Sequence, residues 1–454
     1  MAFVSLNPAT GQKIKEVPTW GDIQLEEALV DVAIATPQWA KTPLQERCDH
    51  VRRLGLSVVA RRDELAELIT LEVGKLISEA RAEVDKCVSV CDYYADNGPA
   101  FLSDEMIESD AGKSFVAHLP LGTILAVMPW NFPLWQVFRF LAPALVAGNT
   151  GVLKHASNVP QCALAIESLV RDAGLPNGVF RSLMISAGQV AGVIEDERVH
   201  AVTLTGSEPA GRKVAATAGA NLKKTVLELG GSDPFIVLED ADLDLAVPQG
   251  VASRFLNAGQ SCIAAKRFIV VDSVADDFVA KFKIIVEALK PGNPNREGTT
   301  LGPMARADLR DELHEQVQRS INAGAIAVTG CAAISGNGAF YQASILDHVK
   351  PGMAAWEEEF FGPVAIIIRV KDEREAIKVA NGSDFGLGGS VWTKDSERGE
   401  RVARSVQSGA VFVNGMVKSD PRLPFGGVKN SGYGRELCHH GMLEFVNQKT
   451  IWVR

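Results

Sequence analysis

The stretch 122–155, GTILAVMPWNFPLWQVFRFLAPALVAGNTGVLKH, decides how the chain folds. Its two ends, 122–128 and 150–153, are short apolar runs of the kind that form buried strands. Two more runs follow, VFRSLM at 179–184 and AVTL at 201–204. Helical spacing occupies 159–173 and 208–219 beside them. Strands that alternate with helices predict parallel pairing through crossover helices, which is a doubly wound nucleotide-binding pattern.

Between Lys113 and Lys154 the only Asp, Glu, Lys or Arg is Arg139. A bilayer tolerates neither that arginine nor Asn131 in mid-run, and Pro120, Pro129, Pro133 and Pro143 interrupt the segment. It reads as buried protein beside a site.

Further along, a second alternation begins near 266. RFIVV at 267–271 leads into a helix predicted at 275–289, VAIIIRV at 364–370 into one at 372–381, and AVFVN at 410–414 precedes a Gly-rich loop. Upstream, 22–92 carries apolar residues at helical spacing, with Pro37 and Pro43 predicting breaks. The expected class is α/β with two lobes. The polar segment 98–114 and the β-rich tail 448–454 belong to neither core; paired as strands they leave an exposed edge, the signature of a subunit contact.

Composition narrows the function. The chain of 454 residues is 46% hydrophobic and 22% charged, enough to bury large cores, and its net charge of −9 argues against nucleic-acid or membrane-surface binding. The N-terminal stretch shows no basic region followed by an apolar one, so a cytoplasmic location is expected. Seven cysteines without zinc-finger spacing read as reduced thiols, and Cys87 and Cys91, four apart on a predicted helix, read as small buried apolar residues rather than metal ligands. No metal site is expected.

Local patterns carry the chemistry. In Asn257-Ala-Gly-Gln-Ser-Cys262 a helix end runs through Gly259 into a loop that presents a cysteine, a setting for a thiolate nucleophile and equally open to a structural thiol. Glu228-Leu-Gly-Gly231 puts an acid at a strand end; it is either a general base with a raised pKa or a solvated glutamate. Met128-Pro-Trp-Asn-Phe-Pro133 pins an amide between aromatics and prolines, as an oxyanion donor or a turn. Leu204-Thr-Gly-Ser-Glu-Pro-Ala-Gly211 is a strand, a glycine turn and a helix start, a loose pyrophosphate cradle that matches neither G-x-G-x-x-G nor the P-loop.

Taken together with Lys154, Glu359-Phe-Phe-Gly-Pro363 and the run Pro424 to Glu436, PFGGVKNSGYGRE, these motifs resemble the aldehyde dehydrogenase superfamily over nearly the whole chain. The resemblance implies a Rossmann-type cofactor domain (1–97 and 119–229), a second α/β catalytic domain (230–442) and a small β oligomerisation flap (98–118 and 443–454). It implies that Cys262 attacks an aldehyde carbonyl, that Asn131 and the Cys262 N–H hold the oxyanion, and that Glu228 activates water to hydrolyse a thioester. Trp130, Lys154, Ser157, Gly206, Ser207, Leu229, Glu359 and Phe361 fall where the family contacts its cofactor, with Glu359 on the nicotinamide ribose and Lys154 on the adenine ribose. NAD-preferring members read Lys-Pro-x-Glu where this chain reads Lys154-His-Ala-Ser157, so the expected cofactor is NAD(P), with no carboxylate to repel a 2′-phosphate.

Arg139, eight residues after Asn131, resembles the carboxylate-binding arginine of succinate-semialdehyde dehydrogenases; a planar fork suits both carboxylate oxygens. A second arginine that such enzymes often carry is replaced here by Leu256. Phe132, Phe425, Lys418 and Ser419 complete the expected substrate pocket. The leading expectation is NAD(P)-dependent oxidation of succinic semialdehyde or a similar short carboxylate-bearing aldehyde by a homodimer or homotetramer. Alternatives are uncharged or amino-aldehydes with Arg139 in a structural ion pair, acyl transfer to CoA, disfavoured by Glu228, and a non-catalytic protein, disfavoured by Cys262 and Asn131.

Overall fold

A computed structural model describes residues 2–454. The strands Thr123–Met128, Thr150–His155, Phe180–Ser182, Ala201–Thr205 and Lys224–Glu228 form one parallel sheet. The chain runs from Thr123–Met128 outward to Thr150–His155 and Phe180–Ser182, then crosses back to Ala201–Thr205 on the other side. The topological switch point therefore lies between Thr123–Met128 and Ala201–Thr205, where doubly wound sheets open a crevice at their carboxyl ends.

A second sheet runs in the order Ile326–Thr329, Ser344–Asp347, Val364–Val370, Ala265–Val271, Asp233–Val237, Ser390–Trp392, Phe412–Val413, parallel apart from Ile326–Thr329. Both sheets are filled with Val, Ile, Leu and Phe because helices cover them. One short strand ties them together: Gly432–Tyr433, beyond the second sheet in sequence, pairs antiparallel with Leu227 and Glu228 of the first. The end of the first sheet is thereby roofed by the glycine-rich run that closes the second unit.

The near-uncharged segment is a helix, Trp135–Ala147, buried over all 13 residues. Its start is capped from outside, since Glu83 Oε1 accepts from the backbone N–H of Leu134 at 3.0 Å and of Trp135 at 3.1 Å. Gly148, at φ 95°, ends it in the left-handed region. Among the described residues no helix is long and apolar enough to cross a membrane.

The expected break at Pro37 does not occur, because helix Asp22–Lys41 passes through it. Burial of Ala28, Leu29, Val32, Ala35 and Trp39, with Trp39 Nε1 donating to Leu145 O at 3.1 Å, outweighs the helix bond that proline removes. Pro43 does mark a boundary, preceding helix Leu44–Ala60. The tail strand Val446–Val453 pairs antiparallel with Lys113–Pro120, whose other edge holds Glu105–Met106. Residues 98–101, expected with this sheet, instead finish the long helix Ile77–Phe101.

Candidate active site

Helix Leu243–Phe255 delivers the chain to a left-handed turn in which Asn257, Ala258 and Gly259 have φ of 52°, 51° and 76°. Such a conformation is costly for a residue with a Cβ, so the surroundings must hold it. Gly259 itself is obligatory: a Cβ there would lie 2.3 Å from the Gly362 carbonyl oxygen. Arg254, with no carboxylate within ion-pair distance among the described residues, donates from Nη2 to the carbonyls of Gly259 (3.2 Å), Phe360 (3.0 Å) and Gly362. Gln260 locks the far side, donating to Asn257 O at 3.0 Å and accepting from Ala305 N at 2.9 Å. Cys262 follows on this braced loop and, among the described residues, is the one cysteine that is half-buried rather than buried.

Asn131 is tied to the same turn. Its Nδ2 donates to Gln260 O at 3.0 Å, its Oδ1 accepts from Gln136 Nε2 at 3.1 Å, and its carbonyl accepts from Asn257 Nδ2 at 2.9 Å. One amide proton is left without a protein partner among the described residues, on a side chain only 3% exposed. That is a fixed, dry donor of the kind an oxyanion needs. His155 steadies the loop before it: Nδ1 accepts from Ala156 N–H at 2.9 Å, so Nε2–H donates to Pro133 O at 2.8 Å. Burial lowers this imidazole's pKa to about 4 and keeps it neutral.

Glu228 ends its strand 2% exposed, and neither carboxyl oxygen has a hydrogen-bond partner among the described residues. Burial, reinforced by nearby Glu436, pushes its pKa well above the ordinary range. Burial likewise raises the Cys262 thiol to about 12, opposed by the charges of Arg139 and Lys266. Cys262 and Glu228 therefore both rest in their protonated forms, and loss of the proton from either leaves a strongly basic group.

Cys262, Phe132, Arg139, Lys418, Ser419 and Phe425 line one cavity of about 400 Å³. Arg139 sits 4.6 Å over the Phe425 ring, and its Nη2 pairs with Glu436 Oε2 at 2.5 Å. The expected pocket arginine and the alternative structural ion pair are thus both present in one side chain. Lys75, Glu79, Glu83 and Lys86, from helix Ile77–Phe101 and the turn before it, also line this cavity, and no sequence motif marks them.

The expected cofactor residues follow the carboxyl ends of parallel strands. Trp130 and Asn131 follow Met128, Lys154 lies at the end of its strand, Gly206 and Ser207 follow Thr205, and Leu229 follows Glu228. Ser207 is the exposed N-cap of helix Glu208–Ala220, whose first-turn N–H groups receive no side-chain cap. An anion fits there, at the switch-point crevice. Lys154 is half-buried, has no carboxylate within ion-pair distance among the described residues, and its pKa is lowered by burial. Ser157 is exposed and opens onto a neighbouring cleft bordered by Asn7 and Arg306, which Lys154 does not line.

Glu359 and Phe361 stand between this crevice and the cysteine. Glu359 accepts from Gly231 N–H at 3.1 Å and pairs with Lys266 Nζ at 3.1 Å, while Phe361 meets Trp130 edge-on at 5.9 Å. Lys266 also donates to the carbonyls of Ser261 at 2.9 Å and Cys262 at 2.8 Å. A fully buried lysine thus bridges the cysteine loop and the glutamate expected on the cofactor; it sits in a strand without any motif that would single it out. Gly231 permits the approach, since a Cβ there would lie 2.6 Å from Cys262 O.

Comparison with known proteins gives a consistent picture. The sequence pattern of the aldehyde dehydrogenase family matches residues 1–451. A Synechocystis protein named "Probable succinate-semialdehyde dehydrogenase", NADP(+), is 50% identical over 454 residues, covering 100% of both chains. The Escherichia coli K12 NAD(P)+ succinate semialdehyde dehydrogenase is 47% identical over 449 residues, covering 99% of this chain and 97% of its own. The crystal structure of succinic semialdehyde dehydrogenase from Streptococcus pyogenes in complex with NADP+ superposes with a TM-score of 0.98 at 40% identity, covering 100% of both chains.

Proposed function

The chain belongs to the aldehyde dehydrogenase family, and from that premise we propose that it oxidises succinic semialdehyde, or a similarly short aldehyde with a distal carboxylate, to the acid using NAD(P). The observation that carries this reading is that Cys262, the one half-buried cysteine among the described residues, opens into the same cavity as the buried cation Arg139. The high identity to relatives named for that substrate supports it.

Each residue's part follows from its setting. Cys262, once deprotonated, attacks the aldehyde carbon, and the free amide proton of Asn131 receives the negative charge that develops on oxygen. A dinucleotide, when bound, would supply the hydride acceptor, and loss of that hydride from the attacked carbon converts the cysteine adduct to a thioester. Glu228, once it has given up its own proton, takes one from water, which attacks the thioester, releases the acid and frees Cys262; its raised pKa makes the ionised carboxylate a strong enough base for that task. Gly206, Ser207 and the first turn of Glu208–Ala220 would hold the pyrophosphate, Lys154 and Ser157 the adenine ribose, and Glu359 the nicotinamide ribose. With serine at 157, a 2′-phosphate meets no carboxylate from that position, so NADP is accepted as well as NAD.

The sheet Glu105–Met106, Lys113–Pro120, Val446–Val453 leaves Met106 61% and Trp452 49% exposed, and we assign it to contacts between copies in a homodimer or homotetramer. The deciding experiment is a matrix of short aldehydes against both cofactors, read as kcat/KM. The reading requires succinic semialdehyde to exceed butanal, its uncharged counterpart of equal chain length.

A further inference from the structure

Lys86 lies outside every motif described above, on helix Ile77–Phe101, yet its amine faces the cavity that holds Cys262. Nζ donates to Ser419 Oγ at 2.6 Å and stands 4.2 Å over the Trp135 ring. The cavity wall carries other cations, but the buried ones are committed: Lys75 pairs with Glu83, and Arg139 with Glu436. Lys418 is exposed. Among the described residues no carboxylate lies within ion-pair distance of Lys86, so it is the one half-buried cation of this wall without an internal counter-ion.

An ammonium withdrawn from water without an anion is unfavourable, and a hydroxyl with an aromatic face compensates only in part. Burial and the neighbouring charge of Arg139 lower its pKa to about 8, which leaves it mainly protonated at neutral pH. Ser419, in accepting from Lys86, keeps its own O–H free to donate. The carboxylates of Glu83 and Asp420 act on Lys86 only from beyond ion-pair distance, Glu83 being paired with Lys75 and Asp420 with Arg422 at 2.6 Å.

Building on the reading of this protein as an oxidant of carboxylate-bearing aldehydes, we propose that Lys86 is a specificity-determining residue: its ammonium, with the Ser419 hydroxyl beside it, binds the substrate's distal carboxylate. The substrate thus supplies the anion that the wall withholds from Lys86. Arg139, half spent on Glu436, is then an auxiliary charge on the same wall.

The test compares wild type, Lys86→Met and Lys86→Arg on succinic semialdehyde and butanal. Lys86→Met is expected to lower the ratio of kcat/KM values, succinic semialdehyde over butanal, by roughly 10- to 100-fold, through KM rather than kcat, and Lys86→Arg to restore most of it. Succinate gives a readout that does not depend on the anionic substrate turning over: as an inhibitor of butanal oxidation its Ki should rise about tenfold or more in Lys86→Met. An unchanged substrate ratio and Ki, whether or not overall turnover falls, overturns the assignment of Lys86. A wild-type enzyme that prefers butanal overturns the underlying substrate reading instead.

Discussion

Arg139 and Glu436 form a buried ion pair, Nη2 to Oε2 at 2.5 Å, with side chains only 3% and 5% exposed. The pair lies between the two ends of the chemistry. On one side Arg139 lines the cavity into which Cys262 opens; on the other Glu436 adds its charge to the burial that raises Glu228. Burial pushes the Glu436 carboxyl up while Arg139 pulls it down, so the charge felt by Glu228 is set by a residue of the cavity wall.

Glu436→Gln should therefore make Glu228 easier to ionise. The substitution removes the repelling carboxylate and leaves Arg139 free to attract Glu228, and both changes act in the same direction. The acid limb of the kcat–pH profile, where hydrolysis limits turnover, is expected to move down by about one unit. Stopped-flow measurement of the NAD(P)H burst separates acylation from hydrolysis. A limb that stays in place would show that Glu436 carries no charge in the working enzyme.

Glu228→Gln should stall the steady state after a normal burst and also stabilise the protein at alkaline pH. Because the folded carboxyl is raised, the unfolded chain gives up its proton first, from about pH 4.5 upward, and stability falls as pH rises towards the folded pKa. The glutamine cannot ionise and escapes this loss. The Tm difference, variant minus wild type, should thus be larger at pH 8 than at pH 5 in scanning fluorimetry. Equal differences at the two pH values would contradict a buried, raised carboxyl.

Alkylation reports on the thiol directly. Among the described residues Cys262 is the one half-buried cysteine, the others being buried, and its pKa of about 12 means that the thiolate fraction grows about tenfold per pH unit through the neutral range. Iodoacetamide labelling of the cofactor-free enzyme, followed by mass spectrometry, should rise with pH without a plateau below pH 9 and vanish in Cys262→Ala. A plateau near pH 7 would mean that the resting cysteine is already a thiolate.

Much of this site is legible in the sequence alone. Cys262 and Asn131 each follow a helix or strand end, and Glu228 closes its strand, all in motifs marked by glycine or proline, and such punctuation survives in one dimension. Ile, Val and Leu runs likewise marked Thr123–Met128 and Val364–Val370 as strands, whereas Pro37 misled because tertiary burial of Trp39 overrode a local rule. Lys86, Arg254, Lys266 and Glu436 could not be assigned a role, since each acts through a partner distant in sequence: Lys86 and Ser419 are 333 residues apart. An ordinary amphipathic helix gives no sign that one of its lysines points into a cavity.

That long-range pairing also changes how Arg139 must be tested. The sequence alone suggests that Arg139→Leu should harm succinic semialdehyde oxidation and spare butanal. In the folded protein the same change strands Glu436 in an apolar site, which costs about 3–5 kcal/mol when one member of a buried pair is removed. The single variant is accordingly expected to lose stability and to lose activity on both aldehydes. A Glu436→Gln background removes the stranded charge, and within it Arg139→Leu isolates what the guanidinium does for the substrate. There the expected result is a loss of about 1–2 kcal/mol in kcat/KM for succinic semialdehyde, with butanal nearly unchanged, as befits an auxiliary contact to a carboxylate. Equal losses for the two aldehydes in the Glu436→Gln background would reduce Arg139 to a purely structural partner of Glu436 and leave the carboxylate to Lys86.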